Sequence, residues 1–166
     1  MAGIGSHTKP NRGATEEWLT PPGIINALGK FDLDPCSPVV RPWDTALTHY
    51  TKDDDGLSQQ WFGRVFLNPP YGTETHKWLK NMAEHNHGTA IMFARTETKM
   101  FFDYVWSKAS ALLFIKGRPH FHLPDGTRAK GNSGGPVVLV AYGAFDAFAL
   151  RDANDCGDIE GQFIRM

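Results

Sequence analysis

Two prolines in succession, Pro69 and Pro70, follow directly on the apolar run Val65-Phe66-Leu67 and on Asn68. Neither carries a backbone N–H, and both hold φ near −65°, so no strand ladder or helix can pass through them. A strand over residues 64–67 must therefore stop at Asn68. The chain must then turn through Tyr71 and Gly72 before another element begins.

Around this break the pattern alternates. Downstream, residues 74–87 have helical composition with Trp78, Leu79 and Met82 on one face, and Gly88 suits the C-terminal cap. Residues 89–94 then fit a buried strand, 99–109 a helix carrying Phe102, Val105 and Trp106, and 111–115 a second buried strand. Upstream, Thr20 is the expected N-cap of a short helix with Pro21 and Pro22 at its start, an Ile24, Ile25, Leu28 face and Gly29 at its end. Residues 31–34 read as a short strand, and 35–61 as mostly loop with a strand fragment near 46–50. Past residue 116 come an extended piece over 118–123, a Pro124-Asp125-Gly126 turn, a glycine-rich loop and an apolar strand over 136–142. The tail after Phe145 is left open between helix and strand. Strand and helix in alternation predict an α/β fold: a mostly parallel sheet covered on both faces, ending in an antiparallel hairpin.

At 166 residues and 41% hydrophobic composition the chain has the size and apolar content of one domain over 1–166. Residues 1–14 are expected to be flexible and 150–166 to form an acidic, solvated tail. Cys36 and Cys156 match neither a disulfide nor a zinc spacing, which places the protein in a reducing cytoplasm, and no metal is predicted. The pairs His85/His87 and His120/His122 lack a carboxylate or cysteine partner and read as surface residues. No run is apolar enough for a signal peptide or a membrane span, so a soluble protein is expected. The sequence leaves a homo-oligomer open.

The formal net charge of −1 excludes binding of nucleic acid by overall electrostatics. The charge is uneven, however. Residues 116–130 hold Lys116, Arg118, Arg128 and Lys130 against the single acid Asp125, a local +3, with His120, Phe121 and His122 interleaved. Such a hairpin can touch phosphates and bases, or simply be an edge blunted by charge.

The chemistry concentrates at Asn68-Pro69-Pro70-Tyr71. A ligand site is expected at the carboxyl end of a parallel strand. There Asn68 offers a side-chain carbonyl, the prolines can aim a backbone carbonyl at the same point, and Tyr71 offers a flat face for a base. Two acceptors on an amino group take its hydrogens and leave the nitrogen lone pair free to attack a methyl cation equivalent.

This motif resembles the catalytic motif of amino-methyltransferases. With Trp18-Leu19-Thr20-Pro21-Pro22, Phe31-Asp32-Leu33-Asp34-Pro35-Cys36, Asp55-Gly56-Leu57 followed by Trp61, and Gly117-Arg118-Pro119-His120-Phe121, the chain resembles the phage-type, Dam-like DNA N6-adenine methyltransferases over residues 17–142. The resemblance implies an abbreviated, single-domain, Rossmann-like fold, S-adenosyl-L-methionine as methyl donor, DNA as partner and, for a phage-encoded protein, the cytoplasm of a bacterial host. It assigns catalysis to Asn68, Pro69, Pro70 and Tyr71. It assigns the cofactor to Trp18, Thr20, Pro21, Asp34, Pro35 and Cys36, with Asp34 accepting from the cofactor's ammonium, and to Asp54, Asp55, Gly56 and Leu57. DNA falls to Lys116, Arg118, His120, Arg128 and Lys130. One departure stands out: the Gly-x-Gly turn usual after the first strand is replaced by Pro35-Cys36-Ser37-Pro38. Other amino groups (cytosine N4, an RNA guanine N2, a protein glutamine) and a non-catalytic DNA-binding relative are the alternatives.

Overall fold

The computed structural model describes residues 17–166, so the expectation of flexibility over 1–14 lies outside the described residues. Helix α1 spans Pro22–Leu28, followed by two short strands, β1 (Leu33–Asp34) and β2 (Thr48–His49). Strand β3 (Val65–Leu67) ends where the prolines require. Then come α2 (Thr75–His85), β4 (Gly88–Phe93), a short α3 (Lys99–Phe101) continuing into a π-helical turn (Phe102–Trp106), and β5 (Ala111–Ile115). Strand β6 (Val137–Tyr142), α4 (Ala144–Asp155) and β7 (Gly161–Arg165) complete the chain.

The seven strands form one sheet in the order β2-β1-β3-β4-β6-β5-β7. The β1/β2, β1/β3 and β3/β4 ladders are parallel, whereas β4/β6, β5/β6 and β5/β7 are antiparallel. Strands β1 to β5 therefore share one direction, and the reversed β6 is wedged between β4 and β5. All six residues of β6 are buried, as its continuous apolar run demands of a strand covered on both faces. Val137, Leu139 and Ala141 pack toward α1 and α4, while Val138, Val140 and Tyr142 pack toward α2 and the π-helical turn. Each of its valine and leucine side chains contributes about 1.5–3 kcal/mol on burial, which makes this strand the keel of both cores.

Several sequence expectations are corrected. Gly88 does not cap α2: Asn86 does, in a left-handed conformation at φ 54°. Gly88 opens β4 instead, where a Cβ would lie 2.0 Å from the Val65 carbonyl oxygen. Thr20 is not the N-cap of α1; Pro21 occupies that position and no side chain caps the helix. The helix expected over 99–109 loses its α character after Phe101. The hairpin expected over 118–130 pairs only through isolated bridges, Leu19 with His122 and His122 with Arg128. The acidic tail is folded: Asp152, Asp155, Asp158 and Glu160 are exposed, but Leu150, Ala153 and Ile159 are buried and β7 pairs along β5.

One buried ion pair ties these layers together. Arg64 Nε donates to Asp146 Oδ1 at 2.9 Å, with Arg64 5% and Asp146 0% exposed. Arg64 Nη1 also donates to the Leu28 and Lys30 carbonyls, and its guanidinium lies over the Phe31 ring at 4.0 Å. Thr89 of β4 donates to the same Asp146 oxygen. Asp146 therefore sits on the buried face of α4 because three elements converge on its charge.

Candidate active site

The carboxyl ends of β1, β3 and β4 lie side by side on one edge of the sheet. From β1 the chain moves outward to β2 and then returns to the other side as β3, so the crevice between β1 and β3 is where the strand order reverses and where open α/β sheets take ligands. A cavity of about 610 Å³ opens there, inside the roughly 300–1,000 Å³ range of ligand pockets.

Asn68 sits at the end of β3 with its amide held from behind. Nδ2 donates to the Trp18 carbonyl at 3.1 Å and to Thr20 Oγ1 at 3.3 Å. A carbonyl only accepts, so the nitrogen must face Trp18 and the amide cannot be flipped. Oδ1, left on the other side, accepts no hydrogen bond among the described residues. Asn68, Pro69, Pro70 and Tyr71 all line the cavity. The Pro70 carbonyl is occupied, accepting from Thr75 Oγ1 at 2.7 Å, and Gly72 N donates back to the same hydroxyl at 2.9 Å. The Pro69 carbonyl accepts no bond among the described residues. Tyr71 rests against Phe93 at a centroid distance of 4.6 Å, its hydroxyl accepts from Phe93 N at 3.2 Å, and 48% of its surface stays exposed.

The opposite wall comes from the loops after β1 and β2. Pro35, Cys36, Asp55 and Gly56 line it, joined by Lys52 and Trp78. Gly56 is packed so closely that a Cβ there would lie 1.9 Å from the Pro35 carbonyl oxygen, so backbone meets backbone in that wall. Trp61 Nε1 donates to the Gly56 carbonyl at 2.8 Å, and its ring stacks on Trp78 at 6.2 Å. Asp55 takes a left-handed conformation, φ 52°. Trp18, Phe121, Leu123 and residues 129–133 also line the cavity. Leu19 and His122 exchange both backbone hydrogen bonds, at 2.8 and 2.9 Å, which fastens that segment to the strip holding Asn68.

Asp34 is placed differently from the expectation that it faces a cofactor ammonium. It is 3% exposed and does not line the cavity. Oδ2 accepts from Thr45 Oγ1, and Oδ1 accepts from Cys36 N at 3.0 Å. Burial pushes its carboxyl up to about 6, against the lowering pull of the Thr45 and Cys36 hydrogen bonds and of Arg41. Its geometry is that of a fastener for the Pro35-Cys36 loop. The Cys36 thiol is pushed up by burial and by the Asp34 charge, so it stays a neutral wall group.

A match to the family described as DNA N-6-adenine-methyltransferase (Dam) runs over residues 5–148. The chain belongs to the Dam family. No curated protein and no solved structure matches it. In this Dam-family chain the cavity gathers ten of the expected site residues: Trp18, Pro35, Cys36, Asp55, Gly56, Asn68, Pro69, Pro70, Tyr71 and Lys130. Thr20 stands behind Asn68, and Leu57 packs into the core on the α2 side. Asp54 is exposed and turned to Thr51, whose N and Oγ1 donate to it at 2.8 and 3.0 Å. Pro21, Lys116, His120 and Arg128 lie along a separate, open groove, where Lys116 bonds Glu160 at 2.9 Å, and Arg118 lines neither. Among the described residues no helix is long and apolar enough to cross a membrane, and no three His, Cys, Asp or Glu gather as a metal site.

Sequence reasoning missed Trp78, Phe93, Lys52 and Thr75. Phe93 carried a usable signal, since it ends the strand beside β3. Trp78 carried none, because one face of a helical tryptophan can serve a core and another a cavity.

Proposed function

We propose that this enzyme transfers the methyl group of S-adenosylmethionine to the N6 amino group of an adenine turned out of the DNA stack. The observation that carries the reading is the orientation of Asn68: with Nδ2 committed to Trp18 and Thr20, Oδ1 is available as an acceptor beside the Pro69 carbonyl. A primary aromatic amine has two N–H donors and a lone pair drawn into its ring. Two converging acceptors take both donors and hold the nitrogen so that its lone pair meets an electrophile in line. Tyr71, backed by Phe93, stacks the base, a contact worth roughly 1–3 kcal/mol. A paired base cannot reach this depth, so extrusion from the duplex precedes transfer.

The other half of the cavity fits the cofactor. Pro35, Cys36 and Gly56 give a close-packed backbone wall, Trp78 an aromatic surface, and Asp55 an exposed carboxylate able to accept from an amino or ammonium group. Bound there, S-adenosylmethionine supplies an electrophilic methyl on a sulfonium. Asn68 and Pro69 orient the nucleophile, and the N6 proton leaves after the N–C bond forms, so no strong base is required beforehand. The reversal of strand order at β1 and the reversed strand between β4 and β5 support reading the sheet as an abbreviated Rossmann-like methyltransferase fold.

The test is direct. Incubating DNA with the protein and methyl-labelled cofactor, then digesting to nucleosides, is expected to place label in N6-methyladenine; label in N4-methylcytosine would overturn the base assignment. Asn68→Ala is expected to lose turnover while cofactor binding, measured by calorimetry, stays close to wild type. An alanine variant with wild-type turnover sinks the reading.

A further inference from the structure

The turn that presents Pro69 and Tyr71 has a problem of its own. Two consecutive prolines remove two backbone donors, and the β3/β4 pairing reaches only to Leu67, so no ladder hydrogen bond holds the backbone of residues 69–72, and the sheet reaches this stretch through the Tyr71 side chain on Phe93. Resting on the methyl-transfer reading above, we infer that the Thr75 hydroxyl is a positioning residue that sets the direction of this turn.

Thr75 is 4% exposed although it is polar and begins a helix. Its Oγ1 donates to the Pro70 carbonyl at 2.7 Å, with Gly72 O at 3.0 Å, and accepts from Gly72 N at 2.9 Å. Its own N donates to the Gly72 carbonyl at 3.3 Å. One side chain thus grips the turn on both sides of Tyr71. By occupying the Pro70 carbonyl it leaves that of Pro69 as the neighbouring acceptor with no bond among the described residues. A hydroxyl suits this role because it is a strong donor and a strong acceptor at one atom. Thr75 does not line the cavity, so it acts through Pro69 and Tyr71 rather than on the substrate. Asn68 is held separately, by Trp18 and Thr20. The two acceptors are therefore aimed by independent fixtures, and loosening one leaves the other in place.

Thr75→Val keeps the shape and removes the hydroxyl; Thr75→Ser keeps the hydroxyl. Since a misplacement of 1 Å costs on the order of a hundredfold in rate, Thr75→Val is expected to lower kcat by about tenfold to a hundredfold. Its affinity for S-adenosylhomocysteine by calorimetry is expected to stay within about twofold of wild type, since the cofactor half of the wall is untouched. Thr75→Ser is expected to restore kcat to within about threefold. A wild-type kcat in Thr75→Val overturns the inference, and so does a serine variant as slow as the valine one. Should the valine variant fail to fold, Thr75→Ala against Thr75→Ser decides on the same terms: equal rates overturn it, a slow alanine and a fast serine uphold it. Asn68→Ala is assayed alongside. If that variant retains turnover, the methyl-transfer reading falls and takes this inference with it. If it is inactive while Thr75→Val is unimpaired, only the role of Thr75 falls.

Discussion

Asp34 holds a carboxylate inside the protein with both oxygens already engaged, by Thr45 and by the Cys36 amide. Burial lifts its carboxyl to about 6 from an ordinary 3.8, so the folded state holds the proton more tightly than the unfolded chain. The stability associated with this group is fully present below the unfolded value and is lost as pH rises through the folded one, here between about 4 and 6. A shift of about two pH units corresponds to about 3 kcal/mol. Asp34→Asn cannot titrate. The unfolding free energy of wild type minus that of Asp34→Asn, from urea melts at a series of pH values, is therefore expected to fall by about 2–3 kcal/mol between pH 4 and pH 7. Parallel curves would show that Asp34 carries no such burden. The residue itself was readable as important in the sequence, but its direction was not: Asp34-Pro35 looks the same whether the carboxylate faces a ligand or turns back toward Thr45, eleven residues on.

At the level of elements, the Arg64–Asp146 pair joins the residue that leads into β3 to α4 and, through the Leu28 and Lys30 carbonyls, to the end of α1. Removing the cation strands a fully buried carboxylate. Arg64→Leu is expected to cost about 3–5 kcal/mol in urea denaturation, and the double variant Arg64→Leu, Asp146→Leu to recover part of that loss; no recovery would mean the pair is not what matters. Nothing in the sequence announces this contact, because Arg64 and Asp146 are 82 positions apart. Strand content followed the same division. The runs 111–115 and 136–142 were legible because consecutive apolar residues need cover on both faces. The slot of β6 between β4 and β5 was not, since partner choice depends on edges that exist only once the sheet has formed. Strand β7 stayed undecided between helix and strand for a plainer reason: Gly161–Arg165 offers two apolar side chains, Phe163 and Ile164, and they do not alternate.

For the whole molecule, the question is where a nearly neutral protein meets a polyanion. The basic segment does not act as one patch. Lys130 lines the cavity, whereas Lys116, His120 and Arg128 lie in the other groove, where Asp158 and Glu160 offset them and Glu160 holds Lys116. Lys130→Ala is therefore expected to raise KM for DNA and to flatten the dependence of log affinity on log salt by about one unit, the signature of one lost phosphate contact. Lys116→Ala is expected to change neither; a drop in slope from Lys116 with none from Lys130 would move the DNA to the outer groove. Charge count along the sequence singled out one basic segment and could not divide it, because the division comes from the fold around Leu19 and His122.

That small join has a mechanical corollary. The Phe121–Leu123 stretch of the cavity lining and the Asn68 amide are bonded to the same three-residue strip, through the Leu19 backbone, the Trp18 carbonyl and the Thr20 hydroxyl. Displacing His122 pulls on the strip to which Asn68 Nδ2 is bonded, so movement of that stretch is coupled to the orientation of the Asn68 amide.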